Sequence, residues 1–203
     1  GPTLLGGLSE GTLHLLERIG WWGHITGVLA FLIYLPYSKH LHILLAFPNT
    51  FYARQKPAGQ IDNLDSVTQE IKLMMNPDTA FAAADPTAEI PTFGAKDVGD
   101  LTWKNLLDAY SCTECGRCTD QCPANLTGKK LSPRKVMMDT RDRMEELATF
   151  RKNSDENHDG KSLLSDEYVS VEELRACTTC NACVEACPVM INPLDIIIQM
   201  RRN

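Results

Sequence analysis

The sequence has no basic excess. Its 20 lysines and arginines are outnumbered by 26 aspartates and glutamates over 203 residues, a formal net charge of −6. A nucleic-acid-binding chain needs a basic footprint for the phosphates, so that class is excluded. No charge at all falls between Ile19 and Tyr37. No basic leader or small-residue cleavage pattern accompanies that stretch, which excludes a secretory signal peptide. No cysteine lies outside two short runs, and no two cysteines are adjacent. The charge that is present is uneven. Residues 1–60 hold Arg18, Lys39, Arg54 and Lys56 against Glu10 and Glu17, or +2, and the remainder carries −8.

What the chain does have is a duplicated cysteine pattern. Cys112, Cys115, Cys118 and Cys122 read C-x2-C-x2-C-x3-C and are followed by Pro123; Cys177, Cys180, Cys183 and Cys187 repeat it before Pro188. This is the two-cluster ferredoxin spacing, in which three cysteines of one run and the fourth of the other hold each [4Fe-4S] cubane. Each iron needs its own thiolate. The expected sets are Cys112, Cys115, Cys118 with Cys187, and Cys177, Cys180, Cys183 with Cys122. The prolines suit a chain that turns sharply after the last ligand. Zinc sites take their cysteines in pairs with a longer gap, and a disulfide framework fits this triplet spacing poorly. Such clusters require a reducing compartment, which places the cysteines on the cytoplasmic side.

The nineteen uncharged residues Ile19–Tyr37 are enough to cross ~30 Å of hydrocarbon as a helix. Trp21 and Trp22 stand at one end and Tyr34 and Tyr37 at the other, as interfacial aromatics do. A buried core helix is the alternative reading. Lys39, Arg54 and Lys56 follow the span, so the positive-inside bias puts the C-terminal side in the cytoplasm. His24 and His42 are eighteen residues apart, five turns of one helix, or roughly 27 Å at 1.5 Å per residue. That spacing would put one imidazole near each membrane surface, as two stacked haems require. Polar groups in a span are functional candidates by default. His40 points to another face. Pro36 introduces a kink that would rotate one histidine against the other, and placement of His40 and His42 among lipid headgroups is the plainer reading.

The stretch W-W-G-H followed by L-P-Y-S-K-H-L-H-I-L-L-A-F-P resembles the last haem-binding helix of the cytochrome b subunit of respiratory nitrate reductases. The resemblance implies b haem at His24 and His42, with the other two ligands supplied by an earlier helix that this chain does not contain. The chain opens on Gly1-Pro2 and not on Met, as a processed, engineered or partial chain would, and closes on Met200-Arg201-Arg202-Asn203 directly after an apolar segment.

The fold class expected is all-α: an N-terminal transmembrane helix plus an α-helical ferredoxin domain with two [4Fe-4S] cysteine loops. The expected divisions are residues 1–48 for the membrane helix, 49–100 for an extended connector, and 101–203 for the dicluster domain. In the connector Ile61, Leu64, Ile71, Met74 and Met75 have helical period, ended by Pro77; residues 78–100 show no chemistry. Thr102 caps a helix to Tyr110. Ser132-Pro133 opens a helix to about Lys152, and Asn192-Pro193 repeats that device for Leu194–Arg201. Ser170-Val171-Glu172-Glu173 is a capping box feeding Cys177. Helix, cysteine loop, Cys-Pro and helix thus occur twice. The 54 residues between Cys122 and Cys177 are too many for a small hairpin ferredoxin. Asp155, Asn157, Asp159 and Gly160 mimic the start of a calcium loop, but Asp166 stands where a bidentate Glu is needed, so a solvated turn is expected instead.

The run R-A-C-T-T-C-N-A-C-V-E-A-C-P-V, from Arg175 to Val189, resembles the helical ferredoxin modules of heterodisulfide-reductase-type iron–sulfur oxidoreductases. That resemblance implies an electron-transfer part of an oxidoreductase with no complete catalytic site of its own. It would carry electrons through two [4Fe-4S] clusters between a cytoplasmic redox partner and the quinone pool, via b haem. The implied partners are the cytoplasmic membrane, other redox subunits or further domains of the same polypeptide, a quinone and a flavoprotein donor. The competing expectation is a structural or assembly subunit whose clusters do not turn over.

Overall fold

In the computed structural model residues 6–38, 40–57, 59–75, 93–154 and 158–203 are described. Lys39 of the positive-inside reading, most of the connector beyond Met75, and Asp155 and Asn157 of the calcium-like motif lie outside them. The chain divides into two units, residues 1–44 and 45–203.

The first unit is built on α1, Glu10–Tyr34, capped by the Ser9 side chain accepting from the Thr12 N–H. No residue of α1 is buried. With its following turn, Glu10–Tyr37, it is the one helix among the described residues long and apolar enough to cross a membrane. It begins a good two turns before the expected span and takes in Glu10, Glu17 and Arg18. The helix does not continue to His42. Pro36 has no N–H to donate to the ladder, the chain tightens into a 3-10 turn at Leu35–Tyr37, and Ser38 closes it on the Leu35 carbonyl through its N–H at 3.2 Å and its hydroxyl at 3.1 Å. The His40 ring then lies 5.9 Å from that of Phe31, whereas nine residues of straight helix would separate them by roughly 13.5 Å. His42 belongs to a separate helix, α2, Leu41–Phe51. Five turns of one continuous helix between His24 and His42 is therefore corrected: a proline break intervenes.

The expected boundary at residue 48 falls inside α2, which carries Pro48 in its interior. Around the missing N–H, Thr50 folds its hydroxyl onto the Ala46 and Phe47 carbonyls. In the connector α3 runs Asp65–Met75, where the apolar period placed a helix.

In the second unit the caps act where the residues put them. Thr102 and Asn105 form a reciprocal capping box that opens α4, Trp103–Ser111. The short helices α5, Arg117–Asp120, and α6, Pro123–Leu126, flank Cys122. Ser132 accepts from the Lys135 N–H to start α7, Pro133–Asn153. Ser170 and Glu173 box α8, Val171–Ala176; α9 is Ala182–Glu185, and Asn192 caps α10, Pro193–Arg201. The described residues contain no strand, only an isolated bridge between Leu164 and Val169.

The core follows the repeat. Val136, Met137 and Thr140 of α7 occupy the same places after Pro133 as Ile196, Ile197 and Met200 after Pro193, and all six are buried. Each aliphatic side chain so buried contributes about 1.5–3 kcal/mol. α7 packs against α4 and α10, α8 against α10, and α5 against α9. The two cysteine runs thus meet in the middle of one unit.

Candidate metal centre

Each cysteine loop is shaped by residues in the left-handed region at matching positions. Glu114 (φ 59°) and Gly116 (φ 86°) follow Cys112; Thr179 (φ 57°) and Asn181 (φ 64°) follow Cys177. A β-branched threonine there is strained by about 1–3 kcal/mol and persists only because its surroundings impose it. What the strain achieves is direction: the Thr179 N–H donates to Cys177 Sγ at 3.4 Å, and the Glu114 N–H does the same for Cys112. Gly116 and Asn181 then start α5 and α9, whose first turns carry Cys118 and Cys183.

The thiols of the two runs approach one another. Cys112, Cys115, Cys118, Cys183 and Cys187 line one cavity, walled by the apolar Met137, Val189 and Ile191 and by Arg117 and Arg134. Cys112 and Cys118 feel the charge of Cys187 across the repeat. In the other set Cys177 feels Cys122 and Cys180, and Cys183 feels Cys177, Cys118, Cys122 and Cys180. Burial, then the neighbouring thiols, pushes Cys118 up to about 11 and Cys183 up to about 12; burial also raises Cys112 and Cys177. All eight are free of disulfides; Cys122 and Cys183 are buried, whereas Cys115 and Cys180 reach the surface. Among the described residues no three His, Cys, Asp or Glu side chains converge on a single point as one metal ion demands. Thiolates spread round a shared cavity suit a cubane, where each binds a different iron.

Three elements of the surroundings were not visible in the motif. Asn49 is fully buried, donating to the Val189 carbonyl at 2.9 Å and accepting from Lys104 Nζ at 3.0 Å, so it holds the turn after Cys187-Pro188. Lys104 also pairs with Asp108 at 2.6 Å, whose carboxyl burial raises despite that lysine. Arg141 bonds Glu114 at 2.5 Å, and Arg201 donates to the carbonyls of Leu174 and Cys177. The signal for these arginines was present, since each stands eight residues after its helix-opening proline. Arg143, fully buried, is clamped by Asp97 at 2.8 and 3.0 Å and by Asp159 at 2.6 and 2.7 Å.

Comparison with known proteins agrees with the geometry. Residues 111–191, which contain all eight cysteines, match the 4Fe-4S dicluster domain family. This part of the chain is a dicluster domain. Around it, the chain is 32% identical to a probable iron-sulfur-binding oxidoreductase, FadF, of Bacillus subtilis, an alignment covering 98% of this chain and 30% of that protein. It is 29% identical to an EtfAB:quinone oxidoreductase of Syntrophomonas wolfei, over 99% and 28% respectively. One component of a ferredoxin:CoB-CoM heterodisulfide reductase of Methanosarcina mazei is 35% identical over 47% of this chain and 46% of its own. The chain spans about 30% of the length of the first two relatives. No solved structure matches it.

The dicluster domain provides the donors such cofactors need: eight thiols, backbone N–H groups aimed at sulfur, and a partly apolar wall. His24 lies in α1 and His42 in α2, on either side of the break at Leu35–Tyr37.

Proposed function

We propose that the chain is a membrane-tethered electron-transfer module of a larger oxidoreductase. Cys112, Cys115, Cys118 and Cys187 hold one [4Fe-4S] cluster, and Cys177, Cys180, Cys183 and Cys122 the other. Bound clusters supply one-electron storage at potentials set by hydrogen bonds, charge and solvent access. The protein's part is to present eight thiolates, to spread sulfur charge onto the N–H groups of Glu114 and Thr179, and to keep water from the first site with Met137, Val189 and Ile191. Cys115 and Cys180 are the surface-reaching ligands, where a donor or acceptor approaches most closely.

The observation that carries this reading is the cavity that Cys112, Cys115 and Cys118 share with Cys183 and Cys187, since it joins thiols of the second run to three others more than sixty residues earlier; the spacing assigns Cys187 as the fourth ligand. The apolar Glu10–Tyr37 helix supports membrane attachment, with the dicluster domain on the cytoplasmic side by the charge bias of the flanking residues. The name of the Syntrophomonas relative, which pairs EtfAB with a quinone, favours a quinone as one terminus; a flavoprotein as the other rests on the sequence resemblance. Haem b on His24 and His42, completed by histidines outside this sequence, is the proposed link between clusters and quinone.

The test is iron and acid-labile sulfide analysis with optical and EPR spectra, before and after dithionite, on protein extracted from membranes. About eight of each per chain is expected, with reversible cluster reduction and split haem α bands. Cys187→Ser should abolish the signal of the Cys112 set while sparing the other. Loss of the Cys177 set instead would overturn the ligand exchange. Clusters that never reduce would make the chain a structural subunit, and clusters without haem bands would remove His24 and His42 from the relay.

A further inference from the structure

The internal repeat gives each cysteine loop an arginine from the equivalent helical position, yet the two arginines end in different electrostatic states. Arg141 lies eight residues after Pro133, and Arg201 eight residues after Pro193. Arg141 forms an ion pair with Glu114 at 2.5 Å, its side chain only 20% exposed and that of Glu114 18%. The positive charge beside Cys112 is therefore matched by that carboxylate and, at 3.6 Å, by Asp142; Arg117 and Arg134, which also line the cavity at Cys112, are exposed to solvent and screened by it. Arg201 is engaged differently. Its Nε donates to the Leu174 carbonyl at 2.8 Å, and its Nη2 reaches the carbonyls of Leu174 and Cys177. Carbonyl oxygens orient the guanidinium without cancelling its charge, and among the described residues no carboxylate pairs with it. The Cys177 loop thus keeps a full positive charge next to its first thiol. Both arginines favour the thiolate of their neighbouring cysteine, as a cation beside sulfur must.

We infer that this difference makes the two cluster sites electrostatically unequal, with Arg201 holding the Cys177 set at the more positive midpoint potential. Reduction adds one negative charge at a site. An uncompensated guanidinium in a partly buried, low-dielectric position favours that charge, whereas an arginine–glutamate pair nearly cancels. Arg201 and Glu114 are thus positioning residues for charge. Glu114 is the switch between the two outcomes, because the αL residue that aims the N–H of the first loop is ionic, while its counterpart Thr179 is neutral. The inference rests on the proposed ligand sets.

The experiment is an EPR-monitored redox titration of the purified, cluster-loaded protein, with iron and sulfide content measured on each sample. In the native protein two distinct midpoints are expected. Arg201→Gln should move only the more positive one downward, and Arg201→Lys should restore most of the shift. Glu114→Gln, which leaves Arg141 only its 3.6 Å contact with the more exposed Asp142 and removes no cation from either loop, should move the lower midpoint upward and narrow the gap. Should Arg201→Gln fail to retain the Cys177 cluster, Glu114→Gln decides alone. Full iron and sulfide with a gap unchanged by Glu114→Gln, or with both midpoints shifted equally by Arg201→Gln, overturns the inference while leaving the ligand sets intact. Iron content short of two clusters in the native protein would instead overturn the ligand sets themselves.

Discussion

Arg143 shows how much of the second unit hangs on one side chain. Its guanidinium is wholly buried and bonds Asp97, Asp159 and the Lys161 carbonyl, while Asp97 also accepts the Leu163 N–H at 3.0 Å. α7 is thereby fastened to both irregular segments beside it. Removing one partner of a buried charge group strands the others, at about 3–5 kcal/mol. Arg143→Met is expected to lower unfolding free energy by that amount in chemical denaturation. The same carboxylates set an acid limit. Arg143 holds Asp159 well below the usual carboxylate range; burial pushes Asp97 up, but Arg143 and the Val98 and Leu163 N–H groups outweigh it. Depressed folded values stabilise in full above the unfolded value near 3.9 and lose that stability as pH falls toward the folded ones. Melting temperature should therefore drop steeply below about pH 4, and less steeply in Asp159→Asn, which starts from lower stability. In the sequence Asp159 reads as part of an abortive calcium loop. Nothing local could reveal that its partner stands sixteen residues earlier on a helix. Gly116 acts through backbone geometry instead of partners. With φ 86° and open space around its missing Cβ, Gly116→Val should cost about 1–2 kcal/mol through backbone strain alone, read as a lower melting temperature.

Helix starts were legible because capping is local chemistry. Thr102, Ser132, Ser170 and Asn192 all accept from the N–H three residues on, and each follows from a cap residue with proline or a box partner close by. Ser170→Ala is expected to cost about 1 kcal/mol. Because α8 ends at Cys177, it should also slow reconstitution of that cluster, measured by recovery of absorbance after iron and sulfide addition. The helix containing Pro48 was less legible. A proline inside a helix usually ends it; here the helix runs on to Phe51, with the Thr50 hydroxyl on the Ala46 and Phe47 carbonyls and Asn49 buried against Val189. Between His24 and His42 the opposite happened. The eighteen-residue spacing suggested five turns of one helix with a kink at Pro36, yet the interruption goes further than a kink, because Ser38 closes a tight turn after it.

At the scale of the molecule the repeat is the organising fact, and the sequence displayed it in spacing alone. What spacing could not display is the anchoring of Asn49 to Val189 and Lys104, because those contacts join residues more than fifty apart. The exchange of the fourth cysteine has a topological consequence. On the proposed ligand sets, Cys187 is tied back to the first run and Cys122 forward to the second, so iron cross-links the chain twice across the α7–α8 segment. A peptide bond cut within that segment, for example at a protease site engineered beside exposed Glu167, would leave two polypeptides but one particle. They should elute together on gel filtration and separate once a chelator strips the iron. The metal would then be the suture that keeps a severed backbone whole.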